Sequence, residues 1–173
     1  MDRTMVSVEK LSPSLAKEFK TARLSALQDT PTAFTGTYSD ESRLSDEDWI
    51  HRATTWSSGR STCYLGMAGA APCGIIAGKA DDRDPQRAYV LSMWVAPAYR
   101  RTGLGSRLMR AVESWAEDLG FRELRLLVTS NNKTAQHFYK RGGFTPSGLT
   151  QPYPHDPALS ESEMVKYIGG NER

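Results

Sequence analysis

The sequence predicts an α/β fold of the α+β kind: a mixed, mostly antiparallel sheet flanked by helices. Three observations predict it. Strand-like runs outnumber helical ones, and three of them follow one another with antiparallel-capable connections. A strand, an amphipathic helix and another strand then come in crossover order, which requires a parallel pair. The helices fall both before and after this strand group, so both faces of the sheet are expected to be covered. At 173 residues the chain fits one sizeable core, and one domain over 1–173 is expected.

The elements are read in the order β-α-α-β-β-β-α-β-α-β-β. "TMVSVE" alternates Val6 and Val8 with polar residues, a short strand. Ser12-Pro13 reads as an N-cap with proline at the first helical position. Leu15, Phe19, Ala22, Ala26 and Leu27 follow at helical spacing, and Pro31 marks the stop. "TPTAFTGTYSDES" is a turn-rich connection. A second helix starts at Ser45, which with Asp48 resembles a capping box; Trp49, Ile50 and Ala53 form its apolar face. "STCYLGMAG" and "PCGIIAGKA" make a hairpin turning at Gly69 to Pro72, and "DDRDPQ" is a polar hairpin tip. "RAYVLSMWV" is nearly continuous in apolar character, the mark of a central strand.

Leu104, Leu108, Met109, Val112, Trp115, Ala116 and Leu119 then trace one helical face ended by Gly120. "FRELRLLV" is the next strand. Asn132 to Lys140 is a short helix with Ala135, Phe138 and Tyr139 inward, closed by Gly142-Gly143. "FTPSGL" and "SEMVKYI" are the last strands, with the proline-rich "TQPYPHDPALS" read as a loop between them.

Composition narrows the function. Hydrophobic residues at 39% and charged residues at 24% suit a globular chain. No apolar run approaches the ~20 residues that span a bilayer, and "MDRTMVSVEK" lacks the apolar stretch of a secretory leader. Cys63 and Cys73 lie in strand-like runs without metal-ligand spacing, so reduced core thiols in a cytoplasmic protein are expected, with no metal. The net charge of +2 gives no general nucleic-acid surface. Its distribution is uneven: residues 1–50 carry six Lys and Arg against nine Asp and Glu, whereas residues 100–110 carry four arginines and no acid. An anion is expected at the second stretch.

That stretch, "VAPAYRRTGLGSRLMR", leads from a strand into the amphipathic helix. Gly103 and Gly105 let main-chain N–H groups converge on a phosphate, and the helix N-terminus favours negative charge. Arg100 and Arg101 add donors. A Rossmann fingerprint fails because its third glycine position is Leu108, although Glu123 lies where a ribose-binding acid is sought. A Walker loop fails for want of a lysine. Downstream, "NNKTAQHFYKRGGF" holds Asn132-x-x-Ala135-x-x-x-Tyr139-x-x-x-Gly143-Phe144.

With "MWVAP", R-x-x-G-x-G and this second motif in order, residues 88–145 resemble the GNAT superfamily of N-acetyltransferases. The resemblance implies transfer of an acetyl group from acetyl-CoA to an amine of a small molecule or peptide, by direct attack in a ternary complex. It assigns the pyrophosphate to the backbone of Arg100, Arg101, Thr102, Gly103, Leu104, Gly105 and Ser106. The pantetheine arm pairs with Met93, Trp94 and Val95, where a main-chain N–H near Trp94 polarises the thioester. Asn132 becomes a cofactor-side residue that also reads as a plain N-cap. Tyr139 becomes the acid that protonates the departing thiolate. Many members carry an acid on the central strand; Ser92 stands there, which leaves the base open between His155 and a water chain. Glu47 and Asp48 are candidates to line an acceptor pocket, although helix capping accounts for them, and Trp49 and Phe34 to wall it, although a core role suits Trp49 better. The expected partners are acetyl-CoA and an amine, without nucleic acid or membrane, with a homodimer left open. A non-catalytic acyl-CoA-binding regulatory domain of the same fold is the alternative.

Overall fold

The computed structural model describes residues 5–169. The sequence reading of the first ten residues therefore falls partly on residues 1–4, outside the described residues. Seven strands form one sheet: β1 (Val6–Lys10), β2 (Ser61–Ala68), β3 (Ala71–Ala80), β4 (Arg87–Val95), β5 (Glu123–Thr129), β6 (Thr145–Tyr153) and β7 (Asp156–Tyr167). Their order is β1-β2-β3-β4-β5-β7-β6, with every pairing antiparallel except β4 with β5. The five helices are α1 (Ala16–Asp29), α2 (Tyr38–Glu41), α3 (Asp46–Trp56), α4 (Leu104–Asp118) and α5 (Lys133–Arg141).

One face of the sheet packs on α4 and α5. Leu104, Leu108, Val112 and Trp115 of α4 meet the sheet with Phe121, Leu126, Tyr139 and Phe144 in one cluster. The helix lies close where Gly66 of β2 and Gly74 and Gly78 of β3 offer no side chain beneath it. A Cβ on Gly78 would stand 2.8 Å from the Trp115 ring, and one on Gly74 3.0 Å from Leu108. The other face packs on α1 and α3 through Phe19, Leu27, Trp49, Leu65 and Ile75. Each fully buried Leu or Ile in these layers contributes about 1.5–3 kcal/mol.

The Ser45–Asp48 capping box forms in both directions, and Asp48 is held below the usual carboxylate range by its hydrogen bonds to Ser45. Four expectations are corrected. Ser12 makes no side-chain cap; it precedes a 3-10 turn at Pro13–Leu15, and α1 begins at Ala16. Ile50 is half exposed, because the buried stripe of α3 runs through Trp49 and Ala53 at i,i+4. The turn-rich connection holds the short α2, capped by the Thr37 hydroxyl, which accepts from the Asp40 amide. The proline-rich stretch is not a loop. It is the outer half of the β6–β7 hairpin, turning between Tyr153 and Asp156. β6 is the sheet's last strand, and an edge tolerates Pro146 and Pro152 because one side needs no ladder donors.

Candidate active site

The site grows from a break in the central ladder. β4 pairs with β5 only from Arg87–Glu123 to Tyr89–Arg125, and the two strands then part. The cause sits within β4. The β3–β4 register slips between Ile75 and Ala77, and opposite the slip Ser92 takes φ +56, a conformation side chains rarely adopt. Arg23 of α1 braces it, its Nη1 donating to Ser92 Oγ at 2.9 Å. Beyond the bulge Trp94 pairs with Ile75 and Val95 with Gly74, and the Ala96 amide donates to Cys73 O at 2.8 Å. Antiparallel alternation then turns the Trp94 amide toward β3 and the Val95 N–H into the gap left by β5.

The loop below the gap carries the glycines. After a 3-10 turn at Pro97–Tyr99, Arg101 takes φ +63 and Gly103, at the N-cap, φ +88. No side chain caps α4, so its first-turn N–H groups and the positive end of its dipole are open to an anion. Thr102 ties its hydroxyl to Tyr99 O. Leu104 is buried under the sheet. Gly105 is required by close approach: a Cβ there would lie 3.2 Å from the Phe138 ring and 3.3 Å from Met93 Cε. Arg100 is turned away from the glycines. Its Nη2 pairs with Asp29 at the end of α1, and its Nε donates to Val95 O at 2.9 Å. Asp29 also accepts from Trp94 Nε1 at 2.9 Å, so one carboxylate ties the loop to the strand end. Arg101 has its guanidinium in none of the described ion pairs or side-chain hydrogen bonds.

Between α4 and α5 lies a cleft of about 430 Å³, lined by Ser106, Met109, Arg110, Phe138, Tyr139 and Phe144 among others. Burial pushes the Tyr139 hydroxyl well above its ordinary value, so it keeps its proton through the neutral range. Asn132 is the N-cap of α5, its Oδ1 accepting from the Ala135 amide at 3.1 Å. An uncapped helix, a left-handed glycine and an open strand edge suit a diphosphate with an extended arm. Among the described residues no cluster could hold a metal ion, and no helix is long and apolar enough to cross a membrane.

The opposite side of the gap is built from distant parts of the chain. Arg23 forms a two-pronged pair with Glu41 of α2, both bonds at 2.9 Å, and lies over the Phe34 ring. Tyr153 donates to Phe34 O at 2.7 Å, and His155 contacts Thr35 O, so the β6–β7 turn is pinned to the segment after α1. Trp49 and Phe34 are core residues, and Glu47 and Asp48 lie in the capped first turn of α3. The sheet between carries Arg125, paired with Glu123 and Glu163. Burial, then Glu163, raises the Tyr89 hydroxyl. Arg23, Asp29, Glu41, Arg125 and the β7 glutamates escaped sequence reasoning, since nothing local marks them; only the apolar periodicity around Arg23 and Asp29 hinted at one helix.

The comparisons with known proteins agree with this geometry. Residues 24–144, well over half of the chain, match the model of the acetyltransferase (GNAT) family. Streptothricin acetyltransferase of Streptomyces lavendulae is 37% identical over 83 residues, covering 48% of this chain and 43% of that protein. The chain thus spans less than half the length of that curated relative. A GNAT-family acetyltransferase from Streptococcus pneumoniae superposes with a TM-score of 0.80 at 24% identity, covering 95% of this chain and 100% of that one. The PaiA N-acetyltransferase of Thermoplasma acidophilum, solved with coenzyme A, gives 0.73 at 20% identity over 95% and 99%. Below a quarter identity these two speak for the fold alone. By the family model and the strand break that the fold builds around Ser92, the chain belongs to the acetyltransferase (GNAT) family.

Proposed function

We propose that the protein is an N-acetyltransferase that moves the acetyl group of acetyl-CoA to the amine of a small molecule or peptide within a ternary complex. The observation that carries this is the gap between β4 and β5 above an uncapped helix N-terminus. Acetyl-CoA brings an activated acyl carbon on a good leaving group. The amides of Arg101 to Ser106 and the start of α4 hold its diphosphate, with Arg101 as the charged edge. Arg100 serves instead as a staple between loop and strand. The Val95 N–H points to where the thioester oxygen gains charge, and a preorganised donor there is worth most. The acceptor attacks as the neutral amine, its ammonium proton having passed to solvent. As its nitrogen bonds to the acyl carbon the carbon–sulfur bond breaks, Tyr139 gives its proton to the departing sulfur, and the proton shed by the nitrogen returns through water to the Tyr139 oxygen. The streptothricin acetyltransferase match supports acetyl transfer in kind but does not name this chain's acceptor.

Calorimetric titration with acetyl-CoA tests the reading. The parent binds, and Gly103→Glu, which sets a negative charge in the cradle and a side chain at φ +88, weakens binding about tenfold or more. No binding by the parent, or equal binding by the variant, rejects it. Binding without thiol release across a broad amine panel points to the regulatory-domain alternative.

A further inference from the structure

Two glutamates of β7 face the α1/α3 side of the sheet beside the gap, and they differ. Glu163 is paired with Arg125 and accepts from Ser147 at 2.9 Å. Glu161 is as deeply buried, at 6% exposure, yet its only hydrogen bond among the described residues comes from Gln151 Nε2 at 2.9 Å. No Lys, Arg or His nitrogen of the described residues pairs with it. Directly across the ladder stands Thr129, the last residue of β5, 3% exposed. Its hydroxyl is buried without any partner. Residues opposed in an antiparallel ladder carry their side chains on one face, side by side. A carboxylate and a hydroxyl there lack the cation and the donor–acceptor group that would complete them.

Their level along the sheet says what they serve. Thr129 lies four residues beyond Arg125, where the β4–β5 ladder ends, and on β4, where the bulge at Ser92 adds a residue, the level four rungs beyond Tyr89 is Trp94. Thr129 is therefore opposite the strand end that presents the thioester. Glu161 is one strand further, about 10 Å from β4 at ordinary strand spacing and more where the strands splay. A glutamate at that remove lies too far to hold the reacting nitrogen.

We infer that Glu161 and Thr129 form an ammonium subsite for a second positive group on the acceptor, so that the substrate class is a flexible diamine or a lysine-like amine. The inference rests on the acetyl-transfer reading above and deepens it. Gln151 orients the Glu161 carboxylate, Thr129 adds an acceptor for an N–H, and Tyr153 closes the far side: Glu161 and Asp156 are close enough to add to the rise that burial gives its hydroxyl.

The test uses the whole protein. Acetyl-CoA is titrated first by itself, so that a failure to bind it counts against the transfer reading and not against the subsite. With coenzyme A saturating, 1,5-diaminopentane and pentylamine are then titrated by calorimetry, and both are assayed for thiol release from acetyl-CoA. The diamine is expected to be favoured about tenfold or more in Kd and in kcat/KM, and Glu161→Gln to reduce that ratio to about one. Thr129→Val shifts the ratio in the same direction by a smaller factor. The affinity for acetyl-CoA, read on each variant, stays at the parent value. Equal binding of the two amines by the parent, or a diamine preference that survives Glu161→Gln, overturns the inference. Should Glu161→Gln fail to fold by thermal melting, the Thr129→Val ratio decides it, and an unchanged ratio there is the overturning result.

Discussion

On the α4/α5 face of the sheet, nearly everything is apolar and close-fitting: glycines on the strands, leucines and a tryptophan on the helix, aromatic rings around the cleft. The α1/α3 face is apolar over β2, β3 and the Trp94 end of β4. Over the rest of β4 and over β5 and β7 it turns into a chain of charges and hydroxyls from Arg87 through Glu123 and Arg125 to Glu163 and Ser147. The glycine loop and α4 of the first face are neighbours in sequence, whereas the polar groups of the second are partners that the fold brings together. Arg23 reaches Ser92 across 69 positions, Trp94 reaches Asp29 across 65, and Tyr153 reaches Phe34 across 119. On the acetyl-transfer reading proposed above, the local motif would serve the family's common cofactor, and the side chains gathered from distant elements would serve the acceptor.

The largest expected effect follows from the polar face. Arg23→Met leaves Glu41, 7% exposed, with only the more distant Arg52 at 3.7 Å, and should cost about 3 kcal/mol in denaturant unfolding. The double variant Arg23→Met/Glu41→Leu should recover most of it. If the double is as unstable as the single, pairing is not what holds that face, and the contrast between the faces fails.

On the apolar face, Tyr139→Phe should lower turnover about 100-fold, the low end for a positioned acid, with acetyl-CoA affinity little changed by calorimetry. A parallel loss of affinity would make the ring a packing element and erase the chemical role assigned to that face.

An effect that is nil at neutral pH and grows only in alkali sharpens the apolar part of the α1/α3 face. Burial pushes the Cys63 thiol up to about 12 from 9.0. A raised folded value means stability fully present below pH 9 and lost as pH climbs toward 12, at about 1.4 kcal/mol per unit once the unfolded thiol ionises. The parent should therefore melt at lower temperature through that window and Cys63→Ala less steeply so, measured by calorimetric scans. Equal slopes would mean that other groups, the buried Tyr139 first among them, carry the alkaline loss.

How far the fold was legible varied with the range of the forces involved. β4 at Arg87–Val95 was read to the residue, because an unbroken apolar run between a polar tip and a proline has one sensible interpretation. The capping box of α3 was equally plain. The outer half of the β6–β7 hairpin reads as a loop in the sequence because proline argues against strands in general, and only sheet order reveals that β6 is an edge. In the site, the glycines were readable but the direction of Arg100 was not. Two adjacent arginines look alike in sequence, and the carboxylate that turns one of them aside comes from the end of a helix 71 positions earlier.

The sequence by itself determined the order of the elements, the amphipathic α4, the glycine loop before it and the spacing from Asn132 to Phe144. These depend on backbone preference and side-chain period, which act over a few residues. The tertiary structure alone decided the bulge at Ser92, the parting of β4 from β5, the commitment of Arg100 to Asp29 and the isolation of Glu161 from every cation among the described residues. Each depends on which strands become neighbours and on what lies across from a given rung. Burial and charge pairing act through space, so their outcome is fixed only when the chain has closed on itself.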